Sequence, residues 1–262
     1  MIAVLKFSYY QFPILNKFSK YLLPLIILVF LSINISFSQG FDWQTSGRMP
    51  YIIPDLFIGL NTGYTYYNHS GEFNLKEDFV ECCQFTSGTG TGYNFGLVGE
   101  YWYDGYTAFI AAIDFSKVGG DFTIQSVLPT KEGDFITEYG FNSVINYLNF
   151  EFGIKRRIYE THITYGGGLK FSVVISSNSN YTEQAISNNV PFEKRTINNG
   201  AIQDLNSILL SPVLFIGYDA SLGIGYYASP NVSVSYNLNS VIEDESWRRF
   251  SISLGMKIFR NL

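Results

Sequence analysis

The chain has 262 residues, of which 47% are hydrophobic, 18% aromatic and only 15% charged, with a formal net charge of −5. This hydrophobic content excludes a disordered chain, and an acidic balance with no basic cluster excludes a binder of nucleic-acid phosphates. A charge fraction below the roughly 25% of soluble domains, joined to abundant Tyr and Phe, suits either a lipid-facing wall or an aromatic-rich soluble β protein.

The chain opens with a leader. Lys17 and Lys20 precede an almost unbroken apolar run from Tyr21 to Ile35, and Ser36-Phe37-Ser38 places small residues before a cut after Ser38. That layout predicts a cleavable secretory signal peptide over residues 1–38. Pro24, Ser32 and Asn34 interrupt the run, which falls short of the roughly 20 residues of a spanning helix, and this disfavours a retained anchor. Residues 1–38 hold three lysines and no acid, so cleavage takes the charge from −5 to −8. Residues 39–54, with Trp43, Gly47, Pro50 and Pro54, read as an irregular periplasmic lead-in.

From Asp55 onward, alternation with a period of two predicts eight strands, because successive strand side chains point to opposite faces. The first sets Leu56, Ile58, Leu60, Tyr64 and Tyr66 against Gly59, Asn61, Gly63 and Thr65. The second sets Tyr93, Phe95, Leu97, Tyr101 and Tyr103 against Asn94, Gly96 and Glu100; the third sets Phe109, Ala111, Ile113 and Phe115 against Ala108, Ala112 and Asp114, with Ile110 out of pattern. The fourth and fifth carry Leu148 to Ile154 and Ile163 to Val173. The sixth is expected to run from Leu214 to Tyr226, the seventh from Val232 to Leu238, and the last alternates Phe250, Ile252, Leu254, Met256 and Ile258 with small or charged residues.

Short and long connections alternate. Asp104-Gly105 predicts a two-residue hairpin turn. Short links are also expected near 157–160 and at Ala228 to Asn231, where Ser229-Pro230 marks a turn, while 69–90, 117–142, 176–211 and 239–247 read as loops. Tight turns at one rim and loops at the other are the asymmetry of a transmembrane barrel; a lipocalin-type soluble barrel shares the strand number without needing it. The charged strand residues Glu100, Asp114, Glu151, Asp219, Lys155, Lys170, Arg249 and Lys257 fall on one face, four acids with four bases. That balance suits a closed lumen, and eight strands leave room only for side chains, so a plugged centre is expected.

The stretch Cys82-Cys83-Gln84-Phe85, the glycine-rich Gly88-Thr89-Gly90-Thr91-Gly92-Tyr93 and Gly96-Leu97-Val98-Gly99-Glu100-Tyr101 carry a family resemblance. On these residues the segment 55–262 resembles the small outer-membrane β-barrel family of Gram-negative envelopes, the OmpX-like and PorT-like proteins. The resemblance implies location in the cell outer membrane, contact with its lipid and lipopolysaccharide, and insertion by the barrel-assembly machinery. It implies no catalytic residues. One departure is the C-terminal Ile258-Phe259-Arg260-Asn261-Leu262, where many members end on an aromatic residue.

Other candidate chemistry has a plainer reading beside it. Cys82 and Cys83 admit a strained vicinal ring, a bridge to a partner or second copy, or free thiols, and two thiols without nearby His are too few for a zinc site. Gly88, Gly90 and Gly92 precede a strand, whereas a phosphate loop follows one and ends in Lys-Ser or Lys-Thr. His69, Ser70 and Glu72 have the residue types of a hydrolytic triad but would need the chain to fold back. His162 is expected at the opposite rim, and Lys155-Arg156-Arg157 is read as a charged periplasmic turn.

The sequence therefore predicts an all-β protein: an eight-stranded antiparallel up-and-down transmembrane barrel over 55–262, preceded by a signal peptide. Its expected role is non-enzymatic, structural or interactive through external loops that meet lipopolysaccharide or a protein partner. No catalytic, cofactor or metal residue is assigned. The alternatives are a lipid-active outer-membrane hydrolase and a soluble periplasmic lipid-binding barrel.

Overall fold

The structure, a computed structural model, describes residues 55–262 apart from 75–83, 131–132, 160, 188–189, 192, 224 and 244. The expected signal peptide, the lead-in and both cysteines lie outside the described residues. The strands are β1 (Asp55–Asn74), β2 (Gln84–Trp102), β3 (Thr107–Thr130), β4 (Gly133–Arg157), β5 (Ile163–Ser187), β6 (Val190–Pro191), β7 (Arg195–Gly200), β8 (Ile208–Tyr218), β9 (Ala220–Gly223), β10 (Tyr226–Tyr236) and β11 (Arg248–Asn261). Eight of them close on themselves in the order β1-β2-β3-β4-β5-β8-β10-β11, because β11 pairs with β10 on one side and β1 on the other. Every pairing is antiparallel, so the ring has no edge at this level.

Alternation decides which side chains face out. Leu60, Phe95, Ile113, Phe152, Leu214, Ile252 and Leu254 are exposed on the outer wall. Glu100, Asp114, Lys155, Asp219, Arg249 and Lys257 are buried inside, and Glu151 and Lys170 line an internal chamber. All eight charged residues expected within the ring are there.

The two faces exchange character at one level around the ring. On β3 the outward residues change from Phe115 to Lys117 while the inward ones change from Ser116 to Val118. On β4 the outward change is from Leu148 to Asn146 and the inward from Asn149 to Tyr147; on β1 the outward change is from Tyr66 to Asn68 and the inward from Thr65 to Tyr67. On β11, outward Phe250 gives way to Arg248. On these strands the outward residues are apolar just below this level and polar just above it, while the inward ones change the other way. Water on the outside of one end and hydrocarbon on the outside of the other demands such a switch. On β11 the apolar outer band spans Phe250 to Ile258, nine residues that rise roughly 20–25 Å at a usual strand tilt, the height of a bilayer's hydrocarbon core.

Above the switch, the stretches expected as loops are mostly strand. β3 continues to Thr130 and returns as β4 from Gly133, and β5 continues to Ser187, flanked by β6 and β7. The apolar-out signal stops at Phe115 because the outer face has reached water, but alternation persists with Val118 and Phe122 turned in and Asp121 and Thr123 turned out.

Two turns also differ from expectation. The Asp104 turn spans the four residues between β2 and β3, and its carboxylate accepts from the Tyr106 and Thr107 amides at 2.8 and 2.5 Å. The link expected at Ala228 to Asn231 lies earlier, between Gly223 and Tyr226, and includes Gly225 at φ 76°. Pro230 instead sits inside β10, where the ladder passes from β9 (Tyr226 to Ala228) to β8 (Asn231 to Ser235). Its missing N–H falls at that gap, which is where a strand tolerates proline.

Candidate functional site

The lumen is stacked in three tiers. At the rim of short turns, Lys155 Nζ lies 3.1 Å from Glu100 Oε1 and 2.9 Å from Asp219 Oδ1, and Arg157 Nη2 lies 3.4 Å from Asp219 Oδ2. The Tyr227 hydroxyl donates to Glu100 and the Ser229 hydroxyl to Asp219. The Lys155 ammonium also faces the rings of Trp102, Tyr227 and Phe259 at 5.4, 5.3 and 5.7 Å. Two acids and two bases thus neutralise one another within an apolar shell that includes Phe57, Val98 and Ile110, which explains why Ile110 departed from the polar pattern. The run Lys155-Arg156-Arg157, read also as a periplasmic turn, lies at the end of β4: Lys155 points inward as its alternation implied, Arg157 two residues on joins it, and only Arg156 between them faces out.

The middle tier is polar and encloses a chamber of about 70 Å³ lined by hydroxyls, amides, Asp114, Glu151, Lys170 and Lys257. At roughly 10–15 Å³ for each water, it can hold a small cluster. Asn149 donates to Asp114 at 2.9 Å and to Ser116 at 2.8 Å, and Lys170 reaches Ser235 at 3.4 Å. Among the described residues, none of these four charged groups forms an ion pair within 4 Å. Pairing of all eight lumenal charges is therefore not observed among the described residues.

The upper tier is an aromatic plug above the lipid band. His69, Phe85, Phe122, Phe141, Tyr147 and Trp247 are each almost fully buried there. The Trp247 indole N–H donates to His69 Nδ1 at 3.0 Å, and His69 Nε2 meets the Gly119 carbonyl at 3.1 Å, so the ring is neutral with its proton on Nε2. Burial, and next the Arg249 charge, lower the His69 pKa from 6.5 to about 3.

The three residues of triad type do not converge. His69 points into the plug, whereas Ser70 faces out as the next residue on the same strand. Gly71 then adopts φ 121°, with the Ser246 backbone carbonyl against it, and the exposed Glu72 carboxylate accepts from Gln84 at 3.2 Å. Gly88, Gly90 and Gly92 lie within β2, where a β-carbon on Gly88 would collide with the Phe122 ring. Gly88 makes room for the plug, Gly90 and Gly92 lie against the β3 backbone at Gly119 and Lys117, and the three do not form a loop. His162 sits at the opposite rim, 5.6 Å from the Tyr218 ring.

Beyond the lipid band, β3 to β5 project as a sheet with β6 and β7 along β5. From Lys117 to Thr130, β3 contributes fourteen residues, roughly 45 Å of strand. From Thr123 onward β3 pairs only with β4 among the described residues. The sequence pattern missed this surface because its clue was continued alternation with reversed polarity.

No family model matches the chain, and no curated protein matches it. Solved structures similar to parts of it include the outer membrane protein AlkL in lipid bilayers (12% identity, TM-score 0.35, 84% of this chain and 96% of that one). Others are the attachment invasion locus protein Ail of Yersinia pestis (13%, 0.31, 78% and 97%) and the outer membrane protease OmpT of Escherichia coli (9%, 0.33, 79% and 97%). Likenesses at this level assign neither a family nor an activity.

Proposed function

We propose that the chain is an outer-membrane β-barrel with a plugged lumen and no enzymatic role, acting as a surface interaction protein through the projecting β3–β5 sheet. The observation that carries this reading is the exchange of polar and apolar faces at one level around a closed ring. Such an exterior is stable only where hydrocarbon gives way to water at that level, and a soluble lipid-binding barrel would keep its apolar face inside throughout. The three lumenal tiers leave the outer end as the part free to meet a partner. Lipopolysaccharide and an extended protein segment are the partners in view, the latter because strand residues Thr123 to Thr130 carry no charge and, among the described residues, pair only with β4.

Two measurements on the full chain test this. Folded protein in detergent should migrate differently from its boiled form, and identical migration would remove the barrel. Replacing residues 124–138 by a short turn should leave that difference intact while abolishing adhesion of whole cells to their surface ligand. Unchanged adhesion would refute the role given to the sheet.

A further inference from the structure

We propose that residues 240–243 and 245–247 form an acid-released lid over the aromatic plug of the upper lumen, latched by the hydrogen bond from Trp247 to His69. The proposal rests on the lid's own contacts and stands whether or not the projecting sheet binds a partner. The described residues of this connection between β10 and β11 bury Val241, Ile242 and Trp247 completely or nearly so against the aromatic plug. Outside Trp247 its fastenings are peripheral: Asn206 N to the Val241 carbonyl at 2.9 Å, Glu243 N to the Asp204 carbonyl at 2.8 Å and Ser246 N to the Glu72 carbonyl at 3.2 Å, with the Asn206 side-chain amide donating to the Ser240 carbonyl at 2.8 Å and the Glu72 N–H to the Ser246 hydroxyl at 2.7 Å. The central fastening is the indole, which packs edge-on against Phe122 at 5.2 Å and Phe141 at 6.3 Å while donating to His69.

That bond requires a neutral ring. Both imidazole nitrogens are already committed, one accepting from Trp247 and the other facing the Gly119 carbonyl. A proton added at Nδ1 turns the acceptor into a donor aimed at another donor. It also places a cation in a site already facing Arg249 of β11. The other titratable groups there are Tyr67 of β1, 6.2 Å away between ring centres, and Tyr147 of β4, whose ring lies 4.8 Å from the Arg249 guanidinium. β2 presents Gly88, and β3 presents Gly119, Gly120 and Phe122, so no carboxylate from these elements offsets the new charge. Ejecting the indole lets the ring reach water, where protonation is easy. With the closed ring held down to about 3 and a solvated ring near 6.5, each pH unit of acidification in that window favours the open lid tenfold. His69 and the lid lie above the lipid band, so opening exposes the aromatic plug to the outer solution without moving the lipid-facing wall.

The test uses the full chain folded in detergent, with Trp43→Phe and Trp102→Phe so that Trp247 alone emits, and acrylamide as an aqueous quencher. Quenching should rise severalfold on acidification, reversibly, while migration on a gel shows the ring intact. His69→Gln provides the discriminating arm: a neutral amide has one acceptor and one donor, keeps both bonds and cannot take the proton, so its quenching should stay flat. If both proteins respond alike, or neither responds, the latch is wrong. Should the double-Phe background not fold, pulsed deuteration of the Val241 and Glu243 amides in the otherwise native chain gives the same comparison.

Discussion

Leu254→Arg tests the assignment of the outer wall most directly. Leu254 is 61% exposed, faces away from the lumen, and lies opposite Tyr64 on β1 and Val232 on β10. It is four residues from Phe250 and four from Ile258 at the two ends of the β11 band, which at a usual tilt puts it roughly 10 Å from either interface. A guanidinium there must be dragged into hydrocarbon or stretch far to escape it, and the expected cost is ~2–4 kcal/mol. The cost is read as the shift in unfolding free energy in denaturant titrations of protein reconstituted in vesicles. Asp121→Arg is the matched control, since Asp121 also faces out but lies above the switch on β3; as a solvated surface change it should move stability by less than ~0.5 kcal/mol. Equal effects of the two substitutions, or a change below ~0.5 kcal/mol at Leu254, would mean that water bathes both levels and the lipid band does not exist.

Other outcomes follow from the lumen. Lys155→Met keeps apolar bulk beside Trp102, Tyr227 and Phe259 but leaves Glu100 and Asp219 buried without their shared cation; a loss of ~3–5 kcal/mol in the same titration is expected, and a near-neutral result would show that the cluster is hydrated. Trp247→Phe retains the ring packing yet removes the only donor aimed at His69 Nδ1, costing ~1–3 kcal/mol in thermal or denaturant unfolding. Because the folded His69 pKa lies below its unfolded value, the unfolded chain binds the extra proton and stability is lost as pH falls from about 6.5 towards 3. The difference between wild type and His69→Gln should therefore grow across that window, and parallel profiles would assign the acid loss to carboxylates instead.

Much of this architecture was legible in the chain because a strand writes its two faces into alternate positions. Leu56 to Tyr66, Phe150 to Ile154 and Phe250 to Ile258 could be assigned to one face without coordinates, and so could the eight inward charges, from Glu100 to Lys257. The alternation of tight and long connections followed from segment spacing. The lengths of β3, β4 and β5 did not, since the apolar-out signature ends with the bilayer while pairing continues into water. The position of the β9–β10 turn was likewise misplaced by Ser229-Pro230, a pair that marks a turn locally but here fits a break in the ladder.

Sequence by itself determined the periodicity and which residues share a face of each strand in the ring, because these depend on neighbours one or two positions away; which face looks outward was decided by ring closure. Tertiary structure alone decided that Lys155 meets Glu100 and Asp219, 55 and 64 positions distant, and that His69 meets Trp247 across 178. Such contacts are set by ring closure and by the accumulated register of every intervening strand pair. No local pattern of residues encodes that sum.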